Sequence, residues 1–199
     1  MTMKFLSPLQ NGAISSDKYD KKGTLIGKHW KQKRPVITQS YGNDLIIDEK
    51  HFYAQWGMKG HNGTDYRAAT GTKLFSPCDG FAMAKRSKDG YGWHIRIRND
   101  YHAVEFHLAH LSKFAPIFED LSDGQEVPIA MGDLVGFTGN SGASLAQHLH
   151  LGFRRLEVDR RKPIFLWRVK DYENGFFGHI DSSKYLLNFK GTAKINTIS

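Results

Sequence analysis

Turn residues cut this chain into pieces of strand length. The runs PVITQSYG, KLFSPCDGFAMAKRS, GWHIRIRND, HAVEFHLAHL and HLHLGFRRL are rich in β-branched or aromatic residues, and each is bounded by Gly, Asp, Asn or Pro. Within WHIRIRN, His94, Arg96 and Arg98 alternate with Ile95 and Ile97. That is the period of a strand with one polar and one buried face. The pattern predicts a mostly β fold built on an antiparallel sheet core, with few short helices. The one helix candidate, Ser112 to Leu121, is interrupted by Pro116.

A chain of 199 residues is long enough for a single sizeable core. Its 40% hydrophobic and 24% charged residues fit a globular protein rather than a disordered one. No apolar run approaches the roughly 20 residues needed to cross a bilayer, so no integral membrane segment is expected. The single cysteine, Cys78, excludes an intrachain disulfide and a cysteine-based zinc site. It reads as a small buried apolar group. Residues 1–34 are polar and Lys-rich and form an expected N-terminal extension, residues 35–160 carry the functional domain, and the aromatic stretch 161–199 is expected to pack on that domain.

Net charge is +8 at pH 7, which suits a polyanionic partner, either nucleic acid or a bacterial wall polymer. No helix-turn-helix, zinc-finger or RNP-like pattern is present, so nucleic acid is not the expected partner. The basic runs KHWKQKR (Lys28 to Arg34) and RRLEVDRRK (Arg154 to Lys162) read as solvated faces.

The chemistry-bearing residues fall in three stretches. GMKGHNGTDYRAATG holds His61 and Asp65, a nitrogen and a carboxylate ligand on one short segment. Alone, H-x-x-x-D is a weak signal. In HLHLGF, a strand would point His148 and His150 the same way and send Leu149 into the core. His61, Asp65 and one further imidazole make three protein ligands with the fourth tetrahedral position left for water, as in catalytic zinc sites. HLAHLSKF adds His107 and His110, one of them a candidate proton carrier or transition-state donor.

The order of these motifs, HNGTD, then AHLS, then HLH after a Gly/Ser-rich turn, resembles that of the LytM-type (lysostaphin-like, M23) zinc metallopeptidases. VITQSYG, GTKLFSPCDGFA and MGDLVGFTGNSGAS are similar to the family's surrounding segments, and the likeness runs from Pro35 to Arg155. The resemblance implies a LytM/duplicated-hybrid-motif-like β fold with a metal-binding groove. It implies Zn²⁺ held by His61, Asp65 and His150, with His110 and His148 as the catalytic pair that activates water and stabilises the oxyanion. Which of the two is the general base stays open.

The implied reaction is hydrolysis of peptide bonds in bacterial peptidoglycan, in the stem peptide or cross-bridge, by a monomer acting at the cell wall. Anionic wall polymers are further expected partners. The opening residues lack the apolar stretch of a secretory signal, which suggests a phage-encoded enzyme or release by lysis. Two departures from the family bear on substrate preference. Ser144, Leu145, Ala146 and Gln147 stand where Ser-Thr-Gly-Pro is usual, and the acidic residue expected after H-x-H is replaced by Leu151 to Phe153. The rival readings are an inactive LytM-type domain that binds the wall or activates an amidase, and a zinc-independent nucleic-acid-binding module.

Other conspicuous residues have structural readings. His107 is expected to be structural, since its strand parity is opposite to that of His110. His29, His51, His94, His102 and His179 are read as surface or hydrogen-bonded histidines. Asp79 and Asp133 are read as turn formers. Gly60, Gly63, Gly139 and Gly142 are expected to allow positive φ or close chain approach. Tyr53 and Trp56 are expected to line the groove or pack at its rim.

Overall fold

The computed structural model describes residues 5–9, 36–159 and 166–186 with their side chains, and the backbone of four short strands between residues 12 and 33. Those four form two ribbons, Gly12–Ser15 with Trp30–Lys33 and Lys18–Tyr19 with Leu25–Gly27. The lysine- and arginine-rich run from Lys28 to Arg34 therefore lies outside the residues whose side chains are described.

Eleven further strands carry the body of the protein. They are β1 (Ile37–Gln39), β2 (Thr64–Arg67), β3 (Lys73–Phe75), β4 (Gly80–Lys85), β5 (His94–Asn99), β6 (Val104–Ala109), β7 (Leu111–Phe114), β8 (Glu126–Ile129), β9 (Leu134–Thr138), β10 (His148–Asp159) and β11 (Leu166–Val169). The large sheet runs β8-β4-β5-β6-β10-β2-β1, with β11 paired to the far end of β10; a second sheet runs β7-β9-β3. Every described pairing in both sheets is antiparallel. A mostly β, antiparallel fold is what the turn-punctuated sequence predicts.

The alternation read from WHIRIRN decides which face is dry. Ile95 and Ile97 are fully buried, and in register with them lie Phe106 and Leu108 of β6, beside Leu149, Leu151 and Phe153 of β10. This face packs on Leu74, Leu111 and Val135 of the second sheet. Each such side chain contributes on the order of 1.5–3 kcal/mol by leaving water. The sheets close tightly at Gly136, where a Cβ would stand 2.8 Å from Leu111 and 3.3 Å from Ile95.

The opposite face of the large sheet is polar and carries the candidate site. Registered pairs Ala109↔His150, His107↔Gly152 and Glu105↔Arg154 line it on β6 and β10, and Asp65↔His150 continues it onto β2. The segment after β11 crosses this face: Ile180 donates its N–H to the Phe153 carbonyl, and His179 bridges to Arg154. Gly152 makes room for it, since a Cβ there would lie 2.8 Å from the His179 ring.

Two expectations need correction. Ser112 to Leu121 is not a helix: Leu111–Phe114 forms β7 against β9, and Pro116–Phe118 makes one 3-10 turn. Pro116 supplies no N–H for a longer helix, and sheet pairing satisfies the backbone that precedes it. Arg154, at the head of the second basic run, is not on a solvated face. It is buried and pairs with the buried Glu105, Nε to Oε1 at 2.6 Å. Residues 160–162 of that run lie outside the described residues.

Candidate metal centre and groove

Three side chains from distant points of the chain meet at the floor of a groove. Nε2 of His61 lies 3.1 Å from Oδ1 of Asp65, Nδ1 of His150 lies 3.0 Å from the same oxygen, and the two nitrogens are 3.0 Å apart. Sheet register is the cause: β2 and β10 pair Asp65 with His150, and His61 enters from the turn just before β2. All three residues are buried.

The donor set fits a cation. The Ser40 carbonyl, 3.3 Å from Nδ1 of His61, can only accept, so Nδ1 carries the hydrogen and Nε2 offers its lone pair to the cluster. A carboxylate and two imidazole nitrogens thus crowd one point with too few protons to satisfy them. A tetrahedral Zn²⁺ with bonds of about 2.0–2.1 Å needs donor atoms roughly 3.3–3.4 Å apart, a widening of a few tenths of an ångström from this triangle. Nε2 of His150 is buried without a hydrogen-bond partner among the described residues, so the ring's polar contacts are all on its Nδ1 side. Gly63 fixes the ring from the other side, since a Cβ there would lie 2.5 Å from His150 Cε1.

His110 and His148 stand beside the cluster, their ring centroids 4.8 Å apart, with His110 5.8 Å from His150. Nδ1 of His110 donates to the Ser141 carbonyl at 2.7 Å, and Nδ1 of His148 donates to the Ala146 carbonyl at 2.7 Å. Both rings therefore turn Nε2 inward; that of His148 lies 3.4 Å from Oδ2 of Asp65. His110 has φ 61° and sits between β6 and β7, a left-handed residue that breaks strand alternation and swings its ring into the groove.

Electrostatics differ among these groups. Burial alone would raise the Asp65 pKa, but its contacts with the His148, His150 and His61 imidazoles override it and hold the carboxyl far below its usual range. Burial, reinforced by the neighbouring His150, lowers His110 to about 4. For His148 burial also opposes charge, but the Asp65 carboxylate outweighs it and the pKa rises.

The five residues singled out from the sequence are thus brought together: His61, Asp65 and His150 as one triangle, His110 and His148 at its side. His107 is buried and structural, hydrogen-bonded through Nε2 to Glu105 at 3.0 Å. The parity argument for that reading needs correction, however. Register with Gly152 places His107 on the groove side, and the left-handed backbone at His110 removes strand parity as a criterion. His94 and His179 donate to the Gly92 and Phe176 carbonyls, and His51 pairs with Asp44. Asp79 and Asp133 accept N–H bonds from Met131 and Ala130 as turn formers do. Cys78 is buried, and Gly63, Gly60 and Gly139 are sites of close chain approach.

Sequence reasoning missed several contributors. Tyr91 packs 5.5 Å from the His150 ring and 5.3 Å from His107, and its hydroxyl accepts from Asn62 Nδ2 at 2.6 Å. Below it, Arg96 and Arg154 pair with Glu105, whose carboxyl stays ionised because His107 and the two guanidinium groups overcome the effect of burial. No local pattern in DGYGW or RRLEV marks these residues. The groove above the cluster has a volume of about 450 Å³. Tyr53 and Trp56 line it, with Phe52, Leu145 and, from the segment after β11, Phe177.

Comparison with known proteins gives a family match. The model of Peptidase family M23 matches residues 59–163. DD-carboxypeptidase/endopeptidase Mpg of Neisseria meningitidis serogroup B is 37% identical over 90 residues, 45% of this chain and 19% of that protein. Peptidoglycan DD-endopeptidase ShyA of Vibrio cholerae is 31% identical over 132 residues, 66% of this chain and 29% of its own. The chain therefore spans less than a third of the length of either relative. Among solved structures, the catalytic domain of the antimicrobial peptidase lysostaphin from Staphylococcus simulans has a similar fold, with a TM-score of 0.50 and 21% identity over 74% of this chain and 89% of that domain.

Proposed function

The chain belongs to peptidase family M23, and from that premise we propose that it is a zinc-dependent endopeptidase that cuts peptide bonds in bacterial peptidoglycan. The observation that carries this reading is the convergence of His61 Nε2, Asp65 Oδ1 and His150 Nδ1 within 3.0–3.1 Å of one another, with two further imidazoles alongside. Relatives whose names specify peptidoglycan DD-endopeptidase and DD-carboxypeptidase/endopeptidase activity support the choice of substrate.

His61, Asp65 and His150 would hold the metal. When bound there, Zn²⁺ supplies Lewis acidity that polarises the scissile carbonyl and brings the pKa of water toward about 7. The remaining work falls to the chain. His110, neutral through burial, offers the Nε2 lone pair that takes the proton of the attacking water and passes it to the leaving amine. His148, whose pKa is raised by Asp65, carries a proton on Nε2 and donates it as a hydrogen bond to the developing oxyanion. Asp65 remains ionised throughout, and the Ser40, Ser141 and Ala146 carbonyls fix the orientation of the rings. The catalytically silent reading is disfavoured because every candidate ligand is retained.

The decisive experiment pairs zinc analysis of the purified protein with release of soluble fragments from peptidoglycan, for wild type, His150→Ala and His148→Ala. We expect His150→Ala to lose metal and activity and His148→Ala to keep metal while losing turnover. Full activity in both variants would exclude the hydrolase.

A further inference from the structure

The groove contains one cation that the chemistry above leaves unused. Arg67 lies on β2 two residues beyond Asp65 and on the same face, opposite His148 in the register with β10. Strand geometry sets it about 7 Å from the ligand carboxylate. Its side chain is exposed and lines the groove. No group among the described residues pairs with its guanidinium, whereas Arg86, Arg96, Arg98, Arg154 and Arg168 all have carboxylate partners. Among the described groove-lining residues, histidines apart, only Asp65 and Arg67 carry formal charge. The Asp65 charge is already committed to three imidazoles, so Arg67 is, apart from the histidines, the free positive point of the described groove.

We propose that Arg67 is the subsite for a free carboxylate of the substrate. It selects acidic peptides bearing a carboxylate within about two residues of the scissile bond over neutral ones such as oligoglycine. This rests on the peptidase reading and narrows its substrate class. An extended peptide advances about 3.3–3.6 Å per residue, so with its scissile carbonyl at the His61–Asp65–His150 cluster a carboxylate one or two residues along comes level with Arg67. The guanidinium meets a carboxylate with two parallel N–H donors, a geometry that neither an amide nor a glycine methylene can use fully. The neighbours Thr38, Gln39 and Gln147 are neutral, so no acidic group among the described groove residues other than Asp65 competes for the fork.

The test uses the full chain loaded with zinc and two preparations of one peptidoglycan: the native material with free stem-peptide carboxylates, and the same material amidated with carbodiimide and ammonia. The readout is the ratio of initial release rates, native over amidated. Wild type is expected to favour the native form roughly two- to fivefold, the upper part of the range of an exposed charge pair. Arg67→Gln should bring the ratio close to one and Arg67→Glu should invert it. Arg67→Lys, which keeps the charge and loses the fork, should give an intermediate ratio. Long-range attraction from the net charge of +8 acts on all variants alike, so only the change between variants reports on this residue. A wild-type ratio retained in Arg67→Gln, or a wild-type ratio of one, overturns the subsite and leaves the peptidase standing. Release from neither preparation by wild type removes both.

Discussion

Nε2 of His61 and Nδ1 of His150 lie 3.0 Å apart although the residues are 89 positions apart in sequence, with Oδ1 of Asp65 against both. Atoms with lone pairs hold such spacing stably only around a shared proton or cation. Titration of the metal-free protein with Zn²⁺ should therefore raise the melting temperature, by about 2.7 kcal/mol of stability at a hundredfold excess over Kd. Asp65→Ala and His150→Ala should abolish that rise. An unchanged melting curve in wild type would count against a metal centre here.

Loss of His110 or His148 separates chemistry from metal binding. His110→Ala and His148→Ala should retain zinc by elemental analysis and lose about 10²–10⁴-fold in turnover, the usual contribution of a positioned acid or base. The pH dependence has a definite sign. In the proposed mechanism His110, with its pKa lowered to about 4, acts when neutral, which sets an acid limb, and His148, with its pKa raised, acts when charged, which sets a basic limb. Turnover should follow a bell; a flat profile from roughly pH 5 to 9 would contradict these roles.

Gly63 sets the position of the His150 ring. In Gly63→Ala, the new methyl group would stand 2.5 Å from Cε1 and 2.6 Å from Nε2 of His150, so the imidazole must shift. Zinc affinity should fall about 10–100-fold, as when an orienting partner is lost, while the far-ultraviolet circular dichroism stays that of the wild type.

Glu105 and Arg154 form a buried pair beneath the groove, 3% and 7% exposed. Arg154→Ala removes one partner and leaves the carboxylate to Arg96 and His107. Destabilisation of about 3–5 kcal/mol is expected, or roughly 6–20 °C in melting temperature for a domain of this size. A loss below about 1 kcal/mol would mean that Arg96 alone compensates.

Buried histidines make the fold sensitive to acid. His107 is lowered to about 3 by burial and by Arg154, so between pH 6.5 and 3 the unfolded chain binds the proton that the native chain refuses. Stability therefore rises with pH across that window and falls as pH drops. Glu105, held ionised, adds to the loss only below the ordinary carboxylate range. Melting temperatures measured from pH 6.5 to 4.5 isolate the imidazoles, and His107→Gln should give a shallower decline than wild type.

The sheet and the ligand motifs were legible because each is a local pattern. Ile95 and Ile97 announce the dry face by alternation, and the leucine between His148 and His150 tells which way both rings point. What escaped depends on register between distant strands. Arg154 reads as a surface cation until β10 is aligned with β6 and Glu105 appears opposite. Likewise, no periodicity predicts that His179 will cover Gly152, since their meeting depends on the path of the segment after β11. The helix expected from Ser112 yields to strand pairing, where edge hydrogen bonds outweigh weak local propensity.

The left-handed backbone at His110 sets local ease of folding against turnover. Glycine would relax that φ of 61° and recover on the order of 1 kcal/mol, but would erase the imidazole that the proposed mechanism relies on. The proposed mechanism thus asks for an imidazole where the backbone would favour glycine, and a variant with glycine there should fold more easily while losing the proton acceptor.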